Sequence, residues 1–378
     1  MTTALRLYYL APFCFGLEES LANAFEAQGL EVQRRIYAVH KTDKQGFLEG
    51  LYNHYGLVKR IKLALDRMGL LEGILRRSLN RLNETVLKEA AAYRPHLIFI
   101  VKGEILYPET LQRLKAIAPL ISYHWDDPFL RYAQQMDETR DTRYRNLAQS
   151  YSFYDATFVY DESYIEPLRK AGAKDAIYLM DWYEPEIYKP LTLSDEDRAN
   201  WGADVAFVGS PYPNRIALLE ALSEFNVGVW GPYFRWKEHF SKYPFLQKAY
   251  RGEAQGADSV KIYNASKISL NIHDTFQCAT SVNNRTFQIL ASGGFQLVDD
   301  RARLHQLFEV GSDLVVFSTP SEAIDKVSYF LGNPVERTKI RQRGRTKAAQ
   351  HSSTQRARFI LDHVKSNVLK TKGEHAIR

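Results

Sequence analysis

Residues 97–101 read Leu-Ile-Phe-Ile-Val, five apolar positions in a row. A short run of β-branched and aromatic residues predicts a strand covered on both faces, as in a parallel sheet. Similar strands are predicted over residues 5–11, 31–37, 119–125, 156–160 and 176–180. Helical stretches separate them, the first over residues 17–28 and stopped by Gly29. A second series of strands is predicted over 205–208, 227–230, 268–272, 295–298 and 314–317. A helix after Pro320 and another over 353–369 close the chain. Strands alternating with helices in two series predict two doubly wound α/β domains. Asp181 to Leu191, with Pro185 and Pro190 and no clear period, reads as the linker, which sets the domains at 1–185 and 186–378.

One stretch departs from this alternation. Leu57, Ile61, Leu65, Met68, Leu71, Leu75, Leu79 and Leu82 fall three or four apart, a helical stripe. Lys59, Arg60, Lys62, Arg67, Arg76, Arg77 and Arg81 outnumber Asp66 and Glu72 on the other faces. The stripe fits surface helices packed on the first domain, or a face for an anionic membrane. Gly69 and Gly73 predict a break between two helices.

Length agrees with two domains, since 378 residues exceed one ordinary domain. A hydrophobic share of 45% against 25% charged residues is that of a globular chain. Cys14 and Cys278 are the only cysteines, too few for a disulfide framework or a cysteine zinc site. A cytoplasmic location is expected, at most peripheral on the inner membrane face. Residues 5–10 are too short and lack the basic leader of a signal peptide. No apolar run reaches the roughly 18–20 residues of a membrane span. The net charge of +6 favours anionic partners. The basic segments 57–82 and 337–358 alone do not make a nucleic-acid interface, and none is expected.

Candidate chemistry gathers where predicted strands end. Asn284-Arg285-Thr286-Phe287-Gln288 opens a helix that Gly293-Gly294 stops before the next strand. A helix start offers unpaired N–H groups and a positive dipole end, and Arg285 adds a cationic fork, together suited to a diphosphate. Gly209-Ser210 ends another strand, and small residues there let a phosphate approach the backbone, with Arg215 in reach. Tyr263, Asn271 and His273 flank a third strand, and Trp230-Gly231 ends a fourth; each is a candidate for base or sugar contact. In the first half, His124-Trp125-Asp126-Asp127-Pro128 sets two carboxylates at a strand end. One could accept a proton from, or orient, a hydroxyl. Neighbours on an extended chain point opposite ways, so the other is expected to cap the next element. Walker, nucleophile-elbow, His-Glu-x-x-His and three-glycine dinucleotide patterns are all missing from the sequence.

Taken in order, His124-Trp125-Asp126-Asp127-Pro128, Val205 to Ser210 with Arg215, Ile262-Tyr263-Asn264 with Leu270 to His273, and Asn284 to Phe287 with Gly293-Gly294-Phe295 resemble the CgeB-type, spore-maturation-protein-like glycosyltransferases. The resemblance is strongest from Tyr123 to Arg358. It implies a GT-B enzyme: two Rossmann-like domains facing each other across a cleft, the C-terminal one holding a nucleotide sugar. UDP is the favoured nucleotide. The N-terminal domain would receive the acceptor, a hydroxyl of a glycan, a lipid-linked glycan or another molecule. The last helix would pack back on the N-terminal domain. No metal or other cofactor is expected, because basic groups and a helix dipole can stabilise the leaving diphosphate. On this pattern Gly209, Ser210, Arg215 and Arg285 hold the diphosphate. Where the family carries an acid that holds the ribose, this chain has Gln288. Two other readings of the same motifs are a GT-B nucleotide-sugar epimerase and a non-catalytic nucleotide-sugar binder.

Overall fold

The computed structural model describes residues 4–13, 17–37, 70–129, 146–274 and 279–369. Both cysteines and residues 57–69 of the basic stripe lie outside them. The chain forms two compact units. One comprises Met1–Tyr160, Tyr164–Tyr178 and Ala357–Arg378; the other comprises Asp161–Ser163 and Leu179–Arg356.

The first unit is built on a six-stranded sheet in the order β2-β1-β3-β4-β5-β6. Its strands are β1 (Arg6–Pro12), β2 (Glu31–Tyr37), β3 (Leu97–Val101), β4 (Leu120–His124), β5 (Ala156–Val159) and β6 (Ala176–Tyr178). All of its neighbours pair in parallel. Every residue of β3 and β4 is buried, as the unbroken apolar run of β3 requires. The helices α1 (Leu17–Ala27), α2 (Leu70–Tyr93) and α3 (Pro108–Ile117) connect its strands. Gly29 ends α1 with φ +86°, a conformation open to glycine.

The helix α2 corrects one expectation. It runs unbroken from Leu70 through Gly73 to Tyr93, so Gly73 marks no break. A single glycine weakens a helix by only about 1 kcal/mol, and the packing of this long helix outweighs that. Leu79, Val86, Leu87 and Ala90 enter the core, while Arg76, Arg77 and Arg81 stay exposed. From Leu79 onward, therefore, packing accounts for the apolar stripe of α2.

The second unit repeats the plan. Its strands are β7 (Val205–Val208), β8 (Val227–Trp230), β9 (Tyr250–Gly252), β10 (Ile268–Asn271), β11 (Gln296–Asp299) and β12 (Val315–Phe317), all parallel. Their spatial order is β12-β11-β10-β7-β8-β9. Counted from β7, this is the 3-2-1-4-5-6 order of the dinucleotide-binding fold. The direction of winding reverses between β7 and β10, and ligands of such sheets bind at the carboxyl ends of the strands at that point. The helices used below are α4 (Pro213–Ala221), α5 (Ala257–Ala265), α6 (Asn284–Ala291), α7 (Pro320–Gly332) and α8 (Ser353–Val364). Pro213 and Pro320 each occupy a first helical turn, where the missing N–H is no loss.

Sequence reading missed β9. It is three residues long, at the edge of its sheet, with a register shift against β8. So short a strand has no alternation to read.

Candidate functional site

At the reversal point of the second sheet, β7 delivers Gly209 and Ser210, and β10 delivers Ile272 and His273. Gly209 is held from both sides: its N–H donates to the Trp230 carbonyl at 2.8 Å, and its carbonyl accepts from Trp236 Nε1 at 2.9 Å. A methyl group on its Cα would lie 3.1 Å from Arg285 Nη2 and 3.1 Å from the Phe207 ring. Glycine here lets the guanidinium of Arg285 lie against the turn. Gly231 is constrained in the same way, since a Cβ would stand 2.1 Å from the Gly209 carbonyl oxygen.

The two candidate arginines differ. Arg215 is buried, and its Nε and Nη1 donate to the carbonyls of Ile272 (3.0 Å) and Ser210 (3.1 Å). It stacks on Tyr212 with its guanidinium carbon 4.6 Å from the ring centre. It thus ties the turn after β7 to the end of β10. Burial pushes its pKa down, and the charge of Arg285 pushes the same way. Arg285 is half-buried at the second position of α6. Among the described residues, no hydrogen bond or ion pair engages its guanidinium. Two cations close together, only one of them satisfied by protein, make a site for an anion.

The start of α6 is anchored by a network the sequence only half revealed. Asn283, one residue before the predicted start, is the cap: its side chain accepts from the Thr286 N–H. Asn271 Nδ2 lies within hydrogen-bond reach of Asn283, Thr286 and Gln296 oxygens, and Asn271 Oδ1 accepts from Asn283 Nδ2. Asn271 is therefore engaged in fixing α6, not turned outward. The segment leading into the cap is held by Asp161, whose carboxylate accepts from the N–H groups of Thr280 (2.8 Å) and Ser281 (2.9 Å). Burial works against that carboxylate, but these bonds and those from Ser163 outweigh it and lower its pKa. No motif announced Asp161.

His273 is fully buried with Nδ1 2.7 Å from Asp299 Oδ1, and its own N–H donates to the same oxygen at 2.8 Å. Burial lowers the imidazole pKa, against the pull of Asp299. The neutral ring then donates from Nδ1, and Nε2 remains an acceptor without a partner among the described residues. Asp299 and Arg301, which pair at 3.1 Å, were not singled out in the sequence. Tyr263 on α5 is buried, as are Gln288 on α6 and Trp230 on β8. Asn284 is the first residue of α6 and half-buried. Gly209, Ser210, Arg215, Asn271, His273, Asn284 and Arg285 thus converge on the carboxyl edge at the β7–β10 reversal. Trp230 and Gly231 border it from β8.

In the first unit, β4 ends at His124 and the two carboxylates follow. Asp126 Oδ2 accepts from Lys102 Nζ at 2.9 Å, and the Asp126 side chain stays 29% exposed. Asp127 is buried, and its Oδ1 accepts from the Phe129 N–H at 2.9 Å. One carboxylate is therefore part-exposed and paired with Lys102, and the other closes the next turn. Lys102 was not read from the sequence; its signal was its place directly after the strongest strand.

Comparison with known proteins gives the fold and a class. Residues 215–362 match a family model described as glycosyl transferase-like. The chain is 23% identical to the spore protein CgeB of Bacillus subtilis (strain 168), over 67% of this chain and 77% of that protein. It resembles the sucrose-phosphate synthase structure from Thermosynechococcus elongatus with a TM-score of 0.63 at 11% identity, covering 96% and 98% of the two chains. It also resembles Anabaena HepE in complex with UDP, with a TM-score of 0.58 at 13% identity, covering 96% and 100%. HepE is also known in complex with UDP-glucose. The two parallel six-stranded sheets are those of the GT-B fold.

Proposed function

We propose that this chain moves a sugar from UDP onto a hydroxyl group. The class is that of its matched segment: the protein is a glycosyltransferase. What we add is the donor, the acceptor chemistry and the residues. The observation that carries the reading is Arg285, a half-buried guanidinium with no hydrogen-bond or ion-pair partner among the described residues, lying against Gly209 at the head of a capped helix. As the glycosidic bond breaks, negative charge grows on the leaving diphosphate. Arg285 and the first N–H groups of α6 stabilise that charge. Arg215 shapes the Gly209-Ser210 turn for them. The resident charge lets the reaction proceed without a metal ion. A UDP complex of a protein of the same fold supports the choice of nucleotide. Its UDP-glucose complex favours a hexose as the group transferred.

The second unit is the donor unit in this reading and the first unit receives the acceptor. Asp126 orients the acceptor hydroxyl or takes its proton. The test is UDP release from UDP-glucose, UDP-galactose and UDP-N-acetylglucosamine by the purified protein, with EDTA present. Release from at least one, reduced roughly 100-fold or more by Arg285→Ala, is the expected result. Release by Arg285→Ala at the wild-type rate would refute the site.

A further inference from the structure

Lys102 stands where a lysine is out of place. Its φ is +62°, in the left-handed region, and only one other non-glycine among the described residues, Arg94, has a positive φ. Side chains there clash with the backbone, and such strain persists only where the surroundings hold it. The conformation itself is demanded by a tight exit from β3. The Lys102 N–H donates to the Tyr123 carbonyl at 2.8 Å, and the Gly103 N–H donates to Val101 at 2.8 Å. Gly103 follows with φ +80°, and a Cβ there would stand 2.7 Å from Tyr154 Oη. Glycine would satisfy position 102 without strain. The chain carries lysine instead, and its side chain is only 16% exposed.

The ammonium is committed to a purpose visible in its surroundings. It donates to Asp126 Oδ2 at 2.9 Å and lies 3.9 Å from Glu104 Oε1. Among the described residues, four buried polar atoms near it have no hydrogen-bond partner: Asp126 Oδ1, both nitrogens of His124, and Tyr154 Oη, which abuts Gly103. Burial, and secondly the charge of Lys102, lowers the His124 pKa to about 3, so His124 is a neutral neighbour. A corner assembled for stability would pair such groups. This corner lies at the carboxyl ends of β3 and β4. β3 flanks the point where the first sheet reverses, between β1 and β3.

We propose that Lys102 is a positioning residue for the acceptor hydroxyl. It fixes one oxygen of the Asp126 carboxylate, so that the carboxylate meets that hydroxyl in one orientation. The strained residue is the one that brings an ammonium to Asp126. This rests on the transferase reading above and deepens it. The lysine touches neither donor nor reacting bond; it acts through Asp126.

The experiment uses the full chain and the UDP-sugar that the wild type hydrolyses fastest, with water as the acceptor. Lys102→Met is expected to lower kcat for UDP release roughly 10- to 100-fold while KM for the UDP-sugar stays within about twofold. Lys102→Arg, which keeps a cation, restores at least half of the lost rate on a logarithmic scale. Lys102→Gly, relieved of strain, melts within about 3 °C of the wild type yet is as slow as Lys102→Met. Wild-type kcat in Lys102→Met or Lys102→Gly would overturn the proposal. So would a loss in Lys102→Met that tracks a fall in melting temperature and that Lys102→Arg fails to rescue. If the wild type releases no UDP from any of the three sugars, the transferase reading fails and this inference with it.

Discussion

At Arg285 a guanidinium lies against a glycine with no hydrogen-bond partner among the described residues, whereas Arg215, its neighbour in charge, is bound to two carbonyls and stacked on Tyr212. The two side chains should separate stability from function. Arg215→Ala leaves one buried and one part-buried carbonyl without this donor, a loss of roughly 2–3 kcal/mol. The melting transition it belongs to should fall by roughly 5–10 °C. Arg285→Ala removes no protein hydrogen bond and should melt within about 2 °C of the wild type, while losing UDP-dependent activity. Differential scanning calorimetry of both variants checks this; equal destabilisation would mean that Arg285 is structural. Both arginines were legible in the sequence as candidates. Their difference was not, because it depends on which carbonyls the turn after β7 and the end of β10 present. His273 was legible too, but its partner Asp299 was not, since 26 positions separate them.

At the scale of elements, the parallel strands were the most readable part. Residues 31–37, 97–101, 205–208 and 227–230 form strands with the bounds their apolar pattern implied. The last three are buried throughout, and burial is what their pattern records, whereas β2 is mostly half-buried. The edge strand β9 carried no such record, and α2 overrode the glycine signal at Gly73. α6 starts at Asn284 as its pattern implied, but its cap, Asn283, was not singled out, because Asn283 and Asn284 are equally good caps by type and only the Asn271 network chooses.

β4 also carries a pH prediction. His124 at its end is buried neutral, with a folded pKa of about 3 against an unfolded value of about 6.5. Between these values the unfolded chain binds a proton that the folded chain refuses. Its contribution to stability is therefore complete above pH 6.5 and is lost as pH falls toward 3. His351, with a pKa lowered to about 4 by burial and then by Arg356 and Lys347, adds to the same limb. His124→Phe should lose less melting temperature than the wild type between pH 7.5 and 5. An equal loss in both would show that His124 does not titrate on unfolding.

For the whole molecule, the alternation of strands and helices made both units legible, and the order of motifs suggested the fold. The first unit also includes the chain from Ala357 onward. Within that unit His363 Nε2 lies 2.7 Å from Asp175, and the His363 ring packs edge-on against Phe158. No helix among the described residues is long and apolar enough to cross a membrane. The net charge of +6 and the exposed Arg76, Arg77 and Arg81 on α2 leave a peripheral role, which we propose for the basic segment that precedes and enters this helix. The protein should then co-sediment with vesicles containing phosphatidylserine at low salt and release above about 0.3 M salt. Absence of binding at low salt would remove the membrane from the account.

The central claim is that the second unit holds a nucleoside diphosphate through Arg285. The most direct measurement is the melting temperature of the wild type and of Arg285→Ala with UDP, GDP, ADP, TDP and CMP, with and without EDTA. A ligand that binds only the folded state raises the melting temperature according to its affinity. The account predicts a shift with UDP that exceeds the others, persists in EDTA and disappears in Arg285→Ala. No shift with any nucleotide, or a UDP shift that survives in Arg285→Ala, would contradict it.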